Sequence, residues 1–114
     1  MIFITGPRFS GKKTYIKDLY QLTEKELASR AALEVQELAA GRTGAELEIL
    51  AEQLSEKEFV TASETGCGVV PADPEERAKR EAAGRLACLL AERADIVIRM
   101  CCGIPEALKG EELY

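Results

Sequence analysis

The chain has 114 residues, 46% of them hydrophobic, which suffices for one compact domain over residues 1–114 and not for two. Fifteen basic against twenty acidic side chains give a net charge of −5, which argues against a broad nucleic-acid-binding face. No apolar run is long enough to cross a bilayer, so a membrane is not expected as a partner and any bound anion must be gripped locally.

The opening MIFITG has neither a basic leader nor a small-residue cleavage site, and it reads as a buried strand over Ile2–Thr5 rather than a signal peptide. A cytoplasmic protein is the corresponding expectation. A helix follows from about Gly11 to Leu22, with Tyr15, Ile16, Leu19 and Leu22 on one stripe. Thr23-Glu24-Lys25-Glu26 has the form of a capping box and predicts a second helix, with Leu27, Ala31, Val35 and Leu38 as its apolar face and Gly41 as its stop. Thr43-Gly44-Ala45-Glu46 repeats the box for a shorter helix carrying Leu47, Leu50, Ala51 and Leu54, so residues 23–55 form a helical insert.

EFVTAS, residues 58–63, has the β-branched and aromatic content of a second strand and runs into the glycine-rich turn ETGCGVVP. Asp73-Pro74-Glu75-Glu76 supplies an N-cap, a proline at the first helical position and acids in the first turn of a helix reaching about Arg93. Its stripe of Ala82, Leu86, Leu89 and Leu90 faces the sheet. DIVIRMC, residues 95–101, is a third strand, and CGIPEALKG is expected to lead into a weakly ordered C-terminus. Strands alternating with helices predict an α/β fold, with about three parallel strands and flanking helices in three layers.

Gly6-Pro7-Arg8-Phe9-Ser10-Gly11-Lys12 matches G-x-x-x-x-G-K between a predicted strand and a predicted helix. That context makes it a phosphate-binding loop: the glycines let successive amides point inward, the helix N-terminus adds positive potential, and Lys12 reaches the outer phosphates. Gly6 through Thr14 are therefore the candidate residues for binding a nucleotide or another phosphate-like anion. The next position normally carries a hydroxyl that ligates magnesium, and here it is Lys13, whose ammonium cannot ligate a cation. Thr14 lies about 100 degrees further round the helix and is a poor substitute. Metal-assisted transfer is therefore in doubt. Lys13 reads either as a second phosphate-neutralising charge or as a solvated residue beside the loop.

A second carboxylate at the end of a neighbouring strand normally acts as base or holds the metal's water shell. Glu64, which ends EFVTAS on the expected ligand-binding edge, is the nearest stand-in and joins Lys12 as a candidate catalytic residue. Cys67, Cys88, Cys101 and Cys102 have no C-x-x-C spacing, and the chain has no histidine, so no metal site is predicted and the thiols are expected to be reduced and mostly buried. Cys67, in its glycine-flanked turn, is the candidate exposed thiol.

MIFITGPRFSGKK, SETGCGVVP with the following AAGRLACLLAERAD, and IVIRMCCGIPEALKG together resemble the adenosylcobinamide kinase/adenosylcobinamide-phosphate guanylyltransferase family of cobalamin biosynthesis. The family pattern is a phosphate loop, an N-E-x-G-x-G-[IV]-V-P turn, an A-G-R helix and a C-terminal V-x-G-[IL]-P. The resemblance implies a RecA-like sheet, ATP or GTP as cofactor, a corrinoid acceptor and a homo-oligomer, the family's form being a trimer. It implies that Gly6, Ser10, Gly11 and Lys12 hold phosphates and that Glu64 and Gly66 match the turn, with Ser63 where Asn is usual.

The family phosphorylates the aminopropanol arm of adenosylcobinamide and then attaches GMP through a guanylylated histidine. A chain without histidine cannot form that intermediate, which removes the guanylyltransferase half. Relative to the family this looks like a shortened form. Three readings stand open: a small kinase-like phosphotransferase, a non-catalytic nucleotide- or anion-binding partner of a corrinoid enzyme, and a structural descendant that self-associates.

Overall fold

The structure, a computed structural model, describes residues 1–8, 10–64 and 73–110. In chain order its elements are β1 (Ile2–Gly6), α1 (Lys12–Tyr20), α2 (Glu24–Arg30), β2 (Ala31–Ala32), a 3-10 turn (Val35–Leu38), α3 (Gly44–Leu54), β3 (Phe59–Ser63), α4 (Pro74–Arg93), β4 (Ile96–Cys101) and β5 (Ile104–Lys109). The strands form one mixed sheet in the order β2-β3-β1-β4-β5. β1 pairs in parallel with β3 on one side and β4 on the other, β2 joins β3 in parallel, and β5 runs antiparallel to β4.

Alternation along the strands divides the core in two. Phe3, Val60 and Val97 face α3 and α4, where they meet Leu47, Leu50, Leu54, Leu86 and Leu90. Ile4, Phe59, Ile98 and Met100 point the other way onto Ile16, Leu22 and Leu27 of the α1–α2 side. Both faces of the sheet are thereby covered, as a mainly parallel sheet requires.

The three expected strands lie together at the centre of the sheet, but the sheet has five strands, not three. The first addition breaks the expected helical run of residues 23–41. Its capping box forms as expected, with Thr23 Oγ1 accepting from the Glu26 amide at 3.1 Å, yet the helix stops at Arg30 and the chain turns extended to pair Ala31 and Ala32 with β3. Leu27, Ala31 and Val35 are buried as expected, but they serve opposite faces of the sheet, and Leu38 is exposed. The second addition is β5: CGIPEALKG, where no strand was expected, turns back through Cys102–Gly103 in a two-residue hairpin, and the C-terminus it leads into lies outside the described residues.

The described thiols also depart from expectation. Cys88, Cys101 and Cys102 are free and exposed, because they occupy the solvent side of α4, the end of β4 and the hairpin turn. Cys67 and Gly66, with the rest of the turn from Thr65, lie outside the described residues. No helix among the described residues is long and apolar enough to cross a membrane.

Truncating the fully buried Leu90 to Ala removes contacts at the heart of the α4-side cluster. It is expected to cost about 2–5 kcal/mol in urea denaturation. Ile49→Ala, at a position that leaves the side chain exposed, should stay within about 0.5 kcal/mol.

Candidate functional site

The site forms where the sheet order reverses, at the carboxyl end of β1 between β3 and β4, the place where open α/β sheets bind ligands. β1 ends at Gly6 and α1 starts at Lys12, so the expected strand–loop–helix sequence is present. Gly11 caps α1 with φ 92°, a left-handed conformation that favours glycine, and brings no side chain to the helix. The first intrahelical bond runs from the Tyr15 amide to the Gly11 carbonyl at 2.9 Å, so the amides of Lys12, Lys13 and Thr14 precede it. By contrast α2, α3 and α4 are capped by Thr23, Thr43 and Asp73.

Lys12 is only 5% exposed and folds back over the loop. Its ammonium donates to the Pro7 carbonyl at 2.9 Å and to the Gly6 carbonyl at 3.4 Å, and Ser10 Oγ lies 3.5 Å away. Burial pushes the Lys12 ammonium down from the ordinary lysine value, Glu34 and Glu64 pull it up, and Arg8 adds to the lowering. Ser10, Gly11, Lys12, Lys13, Thr14 and Glu34 line a cavity of about 220 Å³ at the helix N-terminus.

The other candidate residues separate. Lys13 turns away to α2, its Nζ 2.9 Å from Glu24 Oε2, and Lys17 pairs with the same carboxylate. Arg8 is exposed and meets Glu37 at 3.1 Å. Thr14 is exposed at the rim of the cavity, and Phe9 lies outside the described residues. Glu64 stands on the expected edge, with its amide donating to the Gly6 carbonyl at 2.8 Å. Its carboxylate reaches across the end of β1 and accepts from Arg99 of β4 at 2.6 and 3.0 Å. A carboxylate held in this two-pronged way is neutralised by its partner and oriented by it.

Sequence reasoning missed Glu34. It follows β2 in a left-handed conformation, φ 53° and ψ 50°, and its amide donates to Thr61 Oγ1 at 3.0 Å. Glu34 Oε2 accepts from Ser63 Oγ at 2.5 Å and Gln36 Nε2 at 2.8 Å, while Oε1 lies 3.8 Å from Lys12 Nζ. Gln36 Oε1 in turn accepts from the Ser63 amide at 3.0 Å. Partial burial alone would raise the Glu34 carboxyl, but hydrogen bonds from Ser63 and Gln36 and the charges of Lys12 and Arg8 outweigh it and hold it below the ordinary carboxylate value. Read as the middle of a long helix, Glu34 gave no signal. Only the early end of α2 at Arg30 brings it to the sheet edge.

Glu34 also lines a neighbouring cavity of about 320 Å³ with Arg8, Gln36, Glu37 and Ser63. A cavity of about 580 Å³ lies beside that one and carries Arg8, Glu64, Lys79 and Arg80 in its wall. Among the described residues no three His, Cys, Asp or Glu gather to hold a metal ion. Among the described residues Glu34 is the one carboxylate that lines the loop cavity.

The family model described as cobinamide kinase / cobinamide phosphate guanyltransferase matches residues 28–108, which is more than half of the chain. The matched stretch takes in Glu34, Glu64 and Arg99 and begins after the loop. No curated protein matches the chain.

The lowered Glu34 carboxyl has a consequence for stability. A folded-state value below the unfolded one stabilises the protein at neutral pH, and that contribution is lost as pH falls through the carboxylate range. Glu34→Gln is therefore expected to be less stable than the parent at pH 7, with the difference closing toward pH 3. Thermal melts across that range check it.

Proposed function

The chain belongs to the cobinamide kinase / cobinamide phosphate guanyltransferase family of cobalamin biosynthesis, and from that premise we propose that it binds the polyphosphate of ATP or GTP in the loop Gly6–Thr14 and transfers a phosphoryl group to a cobinamide-type alcohol. The observation that carries this reading is the buried Lys12, held inside the loop beside the uncapped first turn of α1. An incoming phosphate exchanges places with the loop's own carbonyls as partner of Lys12, and the amides of Lys12, Lys13 and Thr14 supply further donors.

The acceptor enters from the cavities on the Glu34–Glu64 side, which open onto the same sheet edge. A magnesium ion, when it comes with the nucleotide, supplies charge neutralisation on the phosphate oxygens. Glu64 and Arg99 form a fixed pair on that edge and act as positioning residues for the loop end. Guanylyl transfer through a histidine has no residue to carry it in these 114 positions.

One observation favours a second reading. Lys13, in the position of the metal-binding hydroxyl, is engaged with Glu24, so the loop keeps its grip on phosphate while lacking a ligand that speeds transfer. A nucleotide-binding partner protein without turnover fits that arrangement.

Thermal stability titrated with ATP and GTP, with and without Mg²⁺, tests the loop. Saturation at 100 times the dissociation constant should add about 2.7 kcal/mol, and Lys12→Ala should abolish the gain. Nucleotide consumption dependent on cobinamide separates kinase from binder, and Lys13→Ser should raise the transfer rate if the kinase reading is right.

A further inference from the structure

The phosphate loop has open space on both sides. The cavities bordered by Glu34 and Glu64 lie toward β3, and another, of about 420 Å³, lies on the opposite side between α1 and the β4–β5 hairpin. Gly11 and Thr14 line both this cavity and the one in the loop, so the two adjoin around the first turn of α1.

Helical spacing builds one wall. Thr14 with Asp18, and beside them Tyr15 with Leu19, are two i,i+4 pairs that share a face of α1, while Ile16 turns into the core. Leu19, which the sequence places on the buried stripe, is left 37% exposed on that face. Met100 and Pro105 form the other wall, and the bond from the Gly103 amide to the Ser10 carbonyl ties the hairpin to the loop. The result is a cleft with mostly apolar walls and a volume that admits a purine nucleoside.

One charge stands in that cleft. Glu24, Glu34, Glu37 and Glu64 each face a cation, whereas no hydrogen bond or ion pair among the described residues engages the Asp18 carboxylate. An ionised carboxylate only accepts hydrogen bonds. It suits an apolar ring that carries two neighbouring donors, which is what the N1–H and exocyclic amino group of guanine present along one edge. Adenine presents a lone pair at N1, which the carboxylate repels.

We propose that this cleft is the nucleobase subsite of the loop and that Asp18 selects guanine over adenine. From Thr14 to Asp18 is one helical turn, about 6 Å, so a nucleoside runs along α1 from phosphates at the loop to the carboxylate. The β3-side cavities stay free for the acceptor. The inference rests on the phosphate-binding reading of Gly6–Thr14 and adds a base preference to it, through a residue that precedes the stretch 28–108 matched by the family model.

Calorimetric titration with GTP, ATP, inosine triphosphate and inorganic triphosphate tests it on the parent chain and on Asp18→Ala. Asp18 is exposed on a helix that alanine favours, so the variant is expected to fold. The parent should bind GTP at least about tenfold more tightly than ATP, with inosine triphosphate, which lacks the exocyclic amino group, between them. Asp18→Ala should bring GTP to the level of ATP and leave inorganic triphosphate within about twofold of the parent. Equal affinity of the parent for GTP and ATP, or a GTP preference that survives Asp18→Ala, overturns the inference and leaves the loop reading intact. Failure of the parent to bind any of the four overturns the loop reading itself.

Discussion

The end of β1 is the point on which the rest of the molecule converges. Gly6 sits at φ 149°, and a Cβ there would lie 2.3 Å from the Met100 carbonyl of β4, so the strand can approach its neighbour this closely only with glycine. From the β3 side the Glu64 amide donates to the Gly6 carbonyl, and from the β4–β5 hairpin the Gly103 amide donates to the Ser10 carbonyl at 3.0 Å. The loop is thus anchored to both neighbours of β1, and its shape is set by the sheet before any ligand arrives. Pre-organisation of this kind lowers the ordering cost of binding.

That anchoring ties the candidate site to the centre of the sheet. Parallel pairing on both sides of β1 and helices over both faces bury the middle of the strand, and the loop continues from its carboxyl end with Arg8 and Lys13 exposed. The hairpin formed by β4 and β5 contributes through Gly103, which makes the C-terminal strand part of the site's support. Around this scaffold the charges are arranged in pairs: Lys13 is drawn off to α2, Arg99 holds Glu64, and Glu34 faces Lys12.

Much of this was legible in the sequence where local signals and tertiary structure agree. The capping boxes at Thr23 and Thr43, the Asp73-Pro74 start of α4 and the three central strands all form as their residues predict, because each is fixed by chemistry within a few positions. The strand, loop and helix that carry the G-x-x-x-x-G-K match were legible for the same reason. Residues 31–38 were not. Leu27, Ala31 and Val35 have helical spacing, yet sheet pairing with β3 outcompetes the helix after Arg30 and sends these side chains to two different cores. Glu34 went unseen because its place at the sheet edge depends on that break. β5 was hidden by its proline, its charges and its half-exposed pattern, which suit an edge strand and resemble a loop. The side-chain partners of Lys13 and Glu64 come from distant segments, and no local pattern encodes them.

The most direct test of the central claim follows the backbone amides of ¹⁵N-labelled protein during titration with inorganic triphosphate. Saturable shifts concentrated at Ser10 to Thr14, relayed to Gly103 through its bond to Ser10, are the predicted result. Shifts confined to other parts of the surface, with those amides unmoved at saturating ligand, would contradict it.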